Sequence, residues 1–212
     1  MDYLIRLENE KDYQEVDNLI RESFWNVYRP GCVEHFIMHK LRDDDSFIKE
    51  LSFVMEKDGK IIGQNVFVRA YIETIDKKIP VLTMGPISID PSFKRKGYGA
   101  KLLEYTINEA KNKGYGAIFI EGNIDFYSKV GFTYASKYNI KYKGLEDGTD
   151  SSFFLCLELS DGFLNEIEGM YETPDCYFYH IINPKEFEEY EKSFPKKKKL
   201  KLEGSLTVYK KL

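Results

Sequence analysis

Three long β-forming runs, joined only by tight turns, occupy residues 51–90, and a helix-forming stretch follows at once. Leu51–Met55 ends at Lys57-Asp58-Gly59-Lys60, whose Asp-Gly pair suits the positive φ values of a two-residue hairpin. A longer run from Ile61 to about Thr74 turns near Asp76-Lys77-Lys78 into Ile79–Asp90, rich in β-branched residues. Upstream, a short strand at Tyr3–Leu7 precedes two helices. In the first, Asp12 to Phe24, residues Tyr13, Val16, Leu19, Ile20 and Phe24 share one face; the second spans about Val33 to Leu41. Downstream come a helix, a strand at Ala117–Glu121, a short helix at Asn123–Val130, and strands near 133–142 and 152–159. An antiparallel meander entered and left through helices predicts an α/β fold: a mixed, largely antiparallel twisted sheet flanked by helices. Residues 1–159 form the expected main domain, and 160–212 an extension packed on it or completing it. The extension holds a helix near Lys185–Lys192, a lysine run and an alternating stretch at Leu206–Tyr209.

The third β run is interrupted by Gly85-Pro86. Proline removes a ladder donor and glycine weakens pairing, so the break marks either a proline-tolerant edge or a splayed strand with backbone groups free for a ligand.

The pentapeptide Lys-Gly-Tyr-Gly-Ala occurs at 96–100 and again at 113–117. Between the copies, Leu103, Thr106, Ile107 and Ala110 recur at helical spacing. The first copy therefore opens a helix, where unpaired N–H groups and the positive end of the macrodipole favour an anion. Lys94, Arg95, Lys96 and Lys101 add charge there. The second copy closes the same helix, where free carbonyls repel phosphate and Gly114 suits a left-handed stop. Only the first copy is an anion-site candidate, and alone it also fits an ordinary helix start with solvated lysines.

The wider stretch from Gly85 to Leu103, GPISIDPSFKRKGYGAKLL, resembles the acetyl-CoA signature of the GNAT superfamily of N-acetyltransferases, with Lys94 where that pattern has Gln or Arg. A second element, Phe126-Tyr127-Ser128-Lys129-Val130-Gly131-Phe132, is similar to the family's Tyr-x-x-x-Gly-Phe segment. The resemblance covers roughly residues 1–159 and is nearest to bacterial proteins of the YhbS-like type, whose compact strand-to-helix turn matches Glu121-Gly122-Asn123 to Tyr127. It implies an α/β fold with a central splayed strand pair flanked by helices, and acetyl-CoA as the co-substrate. Ile87, Ser88 and Ile89 would meet the pantetheine arm and acetyl carbonyl, and Arg95, Lys96, Gly97, Tyr98, Gly99 and Ala100 would wrap the pyrophosphate. Asn123 would join the cofactor site, and Tyr127 would protonate the departing thiolate.

Acetyl transfer also requires an amine that has lost its proton, against a pKa of ~10.4 for a lysine-like amine. Glu121, at the end of the strand bordering the cleft, is the leading candidate base; a solvated strand-end charge is the plain alternative. Glu73 is the runner-up; His35 and His39, four apart on the second helix, could face a substrate, although a lone pair at that spacing is more often packed or exposed. No metal is expected, because the His-Glu-x-x-His order is absent. Cys156 lies in an alternating apolar run and reads as a buried thiol, so direct attack by the amine is favoured over an acyl-cysteine.

A net charge of −4 argues against nucleic acid and anionic membrane as partners. Lys196–Lys199 and Lys201, after Pro195, read as a solvated loop. Three cysteines without paired spacing, no signal-like N-terminus and no long apolar run suit a reduced cytoplasmic protein. The expected acceptor is a primary amine of a small molecule or peptide, and a homodimer is compatible with the sequence. The competing reading is a non-catalytic acyl-CoA sensor, which the same anion site would permit if no base were present.

Overall fold

The structure is a computed structural model and describes residues 2–201. Its strands are β1 (Leu4–Leu7), β2 (Phe47–Lys57), β3 (Lys60–Glu73), β4 (Lys78–Ile89), β5 (Ala117–Glu121), β6 (Thr133–Tyr134), β7 (Ile140–Tyr142), β8 (Phe154–Glu158) and β9 (Gly169–Tyr171). The helices are α1 (Tyr13–Phe24), α2 (Glu34–Leu41), α3 (Tyr98–Asn112), α4 (Ile124–Tyr127), α5 (Tyr179–Ile182) and α6 (Pro184–Glu191).

The sheet runs β1-β2-β3-β4-β5-β8-β6, with β9 bridging β3 and β7. Neighbours are antiparallel except β4 with β5 and β7 with β9. This is the expected mixed, largely antiparallel α/β architecture. Strand alternation distributes the core: Val54, Val66 and Val68 pack under α1 and α2 beside Val16, Ile20 and Met38. Phe53, Phe67 and Leu82 face Leu103, Ile107 and Ala110 of α3 on the other side.

The parallel pairing of β4 with β5 is registered only at Leu82–Ile118 and Thr83–Phe119. Beyond those pairs β4 runs on to Ile89 with β3 as its sole partner among the described residues, and the sheet splits. A register shift falls between Asn65–Ile87 and Phe67–Met84, so Gly85 and Pro86 together oppose Val66 as a bulge.

Several elements differ from the sequence expectation. β2 begins four residues earlier than Leu51, and the stretch near 133–142 divides into β6, a tight helical turn at Ala135–Lys137, and β7. The irregular-looking segment after Ser160 contains β9 and the helical turns over 175–182. Residues 197–198 also lie against α1: Trp25 Nε1 and Asn26 Nδ2 donate to the Lys198 carbonyl at 3.0 and 3.1 Å, and Lys197 pairs with Glu22 at 2.7 Å. The lysine run is thus an extended strap along the end of α1. The expected strand at 206–209 lies outside the described residues.

Candidate active site

Asp90 follows β4; its Oδ1 accepts from Ser92 N–H (2.8 Å) and starts a single helical turn at Pro91–Phe93. Arg95 and Gly97 then take left-handed φ values of 62° and 86°, folding the chain tightly into α3. Gly97 caps α3 without any side-chain hydrogen bond. The first helical bond runs from Lys101 N–H to the Gly97 carbonyl (3.2 Å), so the amides of Tyr98, Gly99 and Ala100 have no helical acceptor. The cations around this turn differ in use. Lys94 donates to the Ser23 carbonyl at the end of α1 (3.0 Å), where it compensates that helix's dipole instead of facing the turn. Lys101 and Lys96 lie 5.0 Å and 5.4 Å from the rings of Tyr3 and Phe93. Tyr98 points inward, 9 % exposed, with its hydroxyl on Asp2; only its backbone is available to a ligand.

The bulge and the split are governed by hydrogen-bond parity. Asp90 N–H donates to the Ile62 carbonyl at 2.8 Å, so Asp90 and, by alternation, Ser88 turn their backbone groups to β3. Ile87 and Ile89 turn theirs to the split, where Ser23 Oγ donates to the Ile89 carbonyl at 3.0 Å. Both bulge carbonyls are held by side chains. Gln64 Nε2 donates to the Pro86 carbonyl (2.8 Å), and the Tyr177 hydroxyl to that of Gly85 (2.6 Å). Ser88 Oγ is buried without a hydrogen-bond partner among the described residues.

Across the split, Asn123 Oδ1 accepts from Asp125 N–H (2.8 Å) and caps α4. Tyr127, at the end of α4, stands edge-on between Phe126 and Phe132, with ring centroids 5.0 and 5.5 Å away. A Cβ on Gly122 would lie 2.5 Å from Tyr127 Cε2, so the glycine makes room for the ring. Burial raises the Tyr127 phenol pKa well above its ordinary value, with a smaller push from the nearby Tyr28. Glu121 ends β5 with its Oε1 accepting from the hydroxyls of Tyr142 (2.7 Å) and Thr173 (2.6 Å), which contact one another at 2.8 Å.

The other candidates lie elsewhere. Glu73 pairs with Lys78 at the hairpin end of β4, nine residues and roughly 30 Å of strand from Ile87. That separation removes it as a base. His35 is fully buried beneath α6, with Nε2 2.9 Å from Glu191 and Nδ1 3.3 Å from Cys32 Sγ. His39 stacks on Tyr190 at 4.4 Å. His35 therefore packs against α6 and not a substrate, while His39, half exposed, lies against the same helix through Tyr190. The Cys32–His35–Glu191 row has the order of a nucleophilic set, but burial and the charges of Glu34 and Glu191 raise the Cys32 thiol pKa, keeping it protonated. Cys156 is fully buried, its thiol pushed up to about 12 by burial.

Sequence reasoning missed Gln64, Tyr142, Thr173 and Tyr177. Gln64 left a trace, being polar within the apolar run IIGQNVFV, whereas the other three act from parts of the chain remote from their partners.

A mixed sheet split beside a helix start with open amides is an architecture suited to an extended, anionic ligand. Residues 13–132, more than half of the chain, match the model of the Acetyltransferase (GNAT) family, and the chain belongs to that family. The structure of the GNAT family N-acetyltransferase YhbS from Escherichia coli, in complex with CoA, is similar over 84% of this chain and 93% of that one, with 25% identity and a TM-score of 0.72. A GNAT family acetyltransferase from Brucella melitensis, in complex with acetyl-CoA, shares the fold at 21% identity and a TM-score of 0.65, over 82% of this chain and 97% of that one. An uncharacterized N-acetyltransferase of Methanocaldococcus jannaschii is 32% identical over 97 residues, 43% of this chain. That match spans 40% of the relative's length.

Proposed function

We propose that the protein transfers the acetyl group of acetyl-CoA to a primary amine of a small molecule or peptide by direct attack. The observation that carries this reading is the split itself: backbone groups of Ile87 and Ile89 turn into it, beside the unpaired amides that open α3. A pantetheine arm laid in the split would complete the missing strand edge. Its pyrophosphate would reach the Arg95–Ala100 turn, where amides and dipole favour negative charge. The Ile87 N–H would polarise the thioester carbonyl and hold the tetrahedral oxyanion.

The amine attacks as its free base. Glu121 Oε1 already holds two hydroxyl donors, leaving Oε2 for the incoming ammonium or for a water that carries its proton away. As the C–S bond breaks, Tyr127 donates a hydrogen bond to the sulfur. Its raised pKa keeps the phenol protonated through neutral pH, so it stabilises the thiolate as a donor. The proton that finally reaches the sulfur is supplied, in net terms, by the amine.

Acetyl-CoA turnover against a panel of amines, read as free thiol, tests this. Tight acetyl-CoA binding with no thiol release above background for any amine, unchanged by Tyr127→Phe, would refute catalysis and favour a sensor.

A further inference from the structure

We propose that Tyr177, from the segment after the main sheet, is a positioning residue of the thioester site: its hydroxyl sets the bulge so that the Ile87 N–H points at the acetyl carbonyl. The inference rests on the acetyl-CoA reading of the split. In a trans peptide the carbonyl and the next N–H point in opposite directions. The Pro86 carbonyl is fixed towards β3 by Gln64 Nε2 at 2.8 Å, so the Ile87 N–H in the same plane is directed into the split. The preceding plane carries the Gly85 carbonyl, and its anchor is the Tyr177 hydroxyl at 2.6 Å.

Two features make that anchor matter. Gly85 has φ 132°, a region that side-chain-bearing residues rarely adopt, and a Cβ there would meet nothing within 4 Å. Its glycine therefore serves backbone freedom, and a free backbone needs an external hold. The ladder cannot supply it, because Gly85 and Pro86 fall in the register shift and Pro86 has no N–H. Tyr177 sits on the helical turn Asp175–Phe178, contiguous with α5, which packs against α2. The neighbouring Tyr179 makes a comparable bond, to Asp44 at 2.7 Å, away from the bulge.

The test compares wild type with Tyr177→Phe, Gln64→Leu and the control Tyr179→Phe. Dissociation constants are measured for acetyl-CoA and for CoA, which lacks the acetyl carbonyl. The carbonyl stretch of bound [1-13C]acetyl-CoA is recorded by isotope-edited infrared spectroscopy. Tyr177→Phe is expected to weaken acetyl-CoA by about 3- to 10-fold, the range of one net hydrogen bond, with CoA unchanged. The bound carbonyl band should return towards its free position. Gln64→Leu, which frees the adjoining plane, should give the same selective loss, and Tyr179→Phe should give neither. Equal losses for both ligands, or unchanged affinity and band in Tyr177→Phe whatever Gln64→Leu does, would overturn the proposal. Failure of the wild-type chain to bind either ligand would instead sink the acetyl-CoA reading, and this inference with it.

Discussion

Gly122→Ala tests the placement of Tyr127 without touching it. The new methyl would sit 2.5 Å from Cε2 and 2.9 Å from Cδ2 of the ring, whereas carbon atoms rest about 3.5–4.0 Å apart. Relief requires the ring to move by about 1 Å, since on the other side the methyl meets Ile120 Cδ1 at an ordinary 3.6 Å. Phe126 and Phe132 flank the ring, so the displacement carries the hydroxyl with it. A misplacement of ~1 Å at a reacting group lowers turnover by on the order of 10²-fold. Loss of the hydroxyl altogether, in Tyr127→Phe, should lower it by about 10²–10⁴-fold. The two effects run through one atom and should not add: in a Tyr127→Phe background, Gly122→Ala should cost less than about threefold. The assay is thiol release at saturating acetyl-CoA and amine, with CoA affinity and the melting temperature measured in parallel. Wild-type turnover in Gly122→Ala, or full additivity in the double variant, would refute the assignment of Tyr127 to the leaving group.

Gly97→Asp should lower CoA affinity by on the order of 10³-fold, since like charges ~4 Å apart at an effective dielectric of ~20 repel by about 4 kcal/mol; calorimetry should find Gly114→Asp, at an equally left-handed position (φ 83° against 86°), affecting stability alone. Glu121→Gln should reduce kcat/KM for amines by about 10²–10³-fold and leave CoA affinity unaltered, as read by steady-state kinetics and titration. Burial pushes the Glu191 carboxyl up, yet bonds from His35 and Arg21 outweigh it and hold the pKa at about 2. A depressed pKa gives stability that is full above the unfolded value and lost as pH falls through the folded one. Unfolding free energies of wild type from urea titrations should therefore drop between about pH 4.5 and 2, by up to ~3 kcal/mol, and the Glu191→Gln variant, less stable at pH 7, should show a flatter acid limb.

What the sequence disclosed was local or periodic. Ile107 and Ala110 announced α3 by spacing, and Asp58-Gly59 announced the β2–β3 hairpin, because each signal and its cause lie within a few residues. The break in β4 was visible as Gly85-Pro86, and two family motifs resolved its meaning. The groups that hold the site were not visible, because the Tyr177–Gly85 and Thr173–Glu121 contacts close loops of 92 and 52 residues. Nothing in the spacing of Thr173 or Tyr177 distinguishes them from ordinary surface residues. What His35 packs against was hidden for the same reason: its partner Glu191 arrives on α6, far along the chain. β9, only three residues long, pairs at both edges with remote strands and carries no pattern long enough to read.

The repeated pentapeptide isolates one variable in anion binding. Gly97 and Gly114 share left-handed backbones, at φ 86° and 83°, and have lysine before and tyrosine after. Neither local conformation nor composition can then separate the two sites; chain direction does. After Gly97 the helix presents amides that precede its first hydrogen bond. At Gly114 the N–H is already spent on the Lys111 carbonyl (2.9 Å), and that of Tyr115 on Ala110 (3.3 Å). Groups turned outward at that end are acceptors. A glycine–lysine cluster is an anion site only where the helix that follows it leaves its donors open, and in this chain that condition is met beside the split in the sheet.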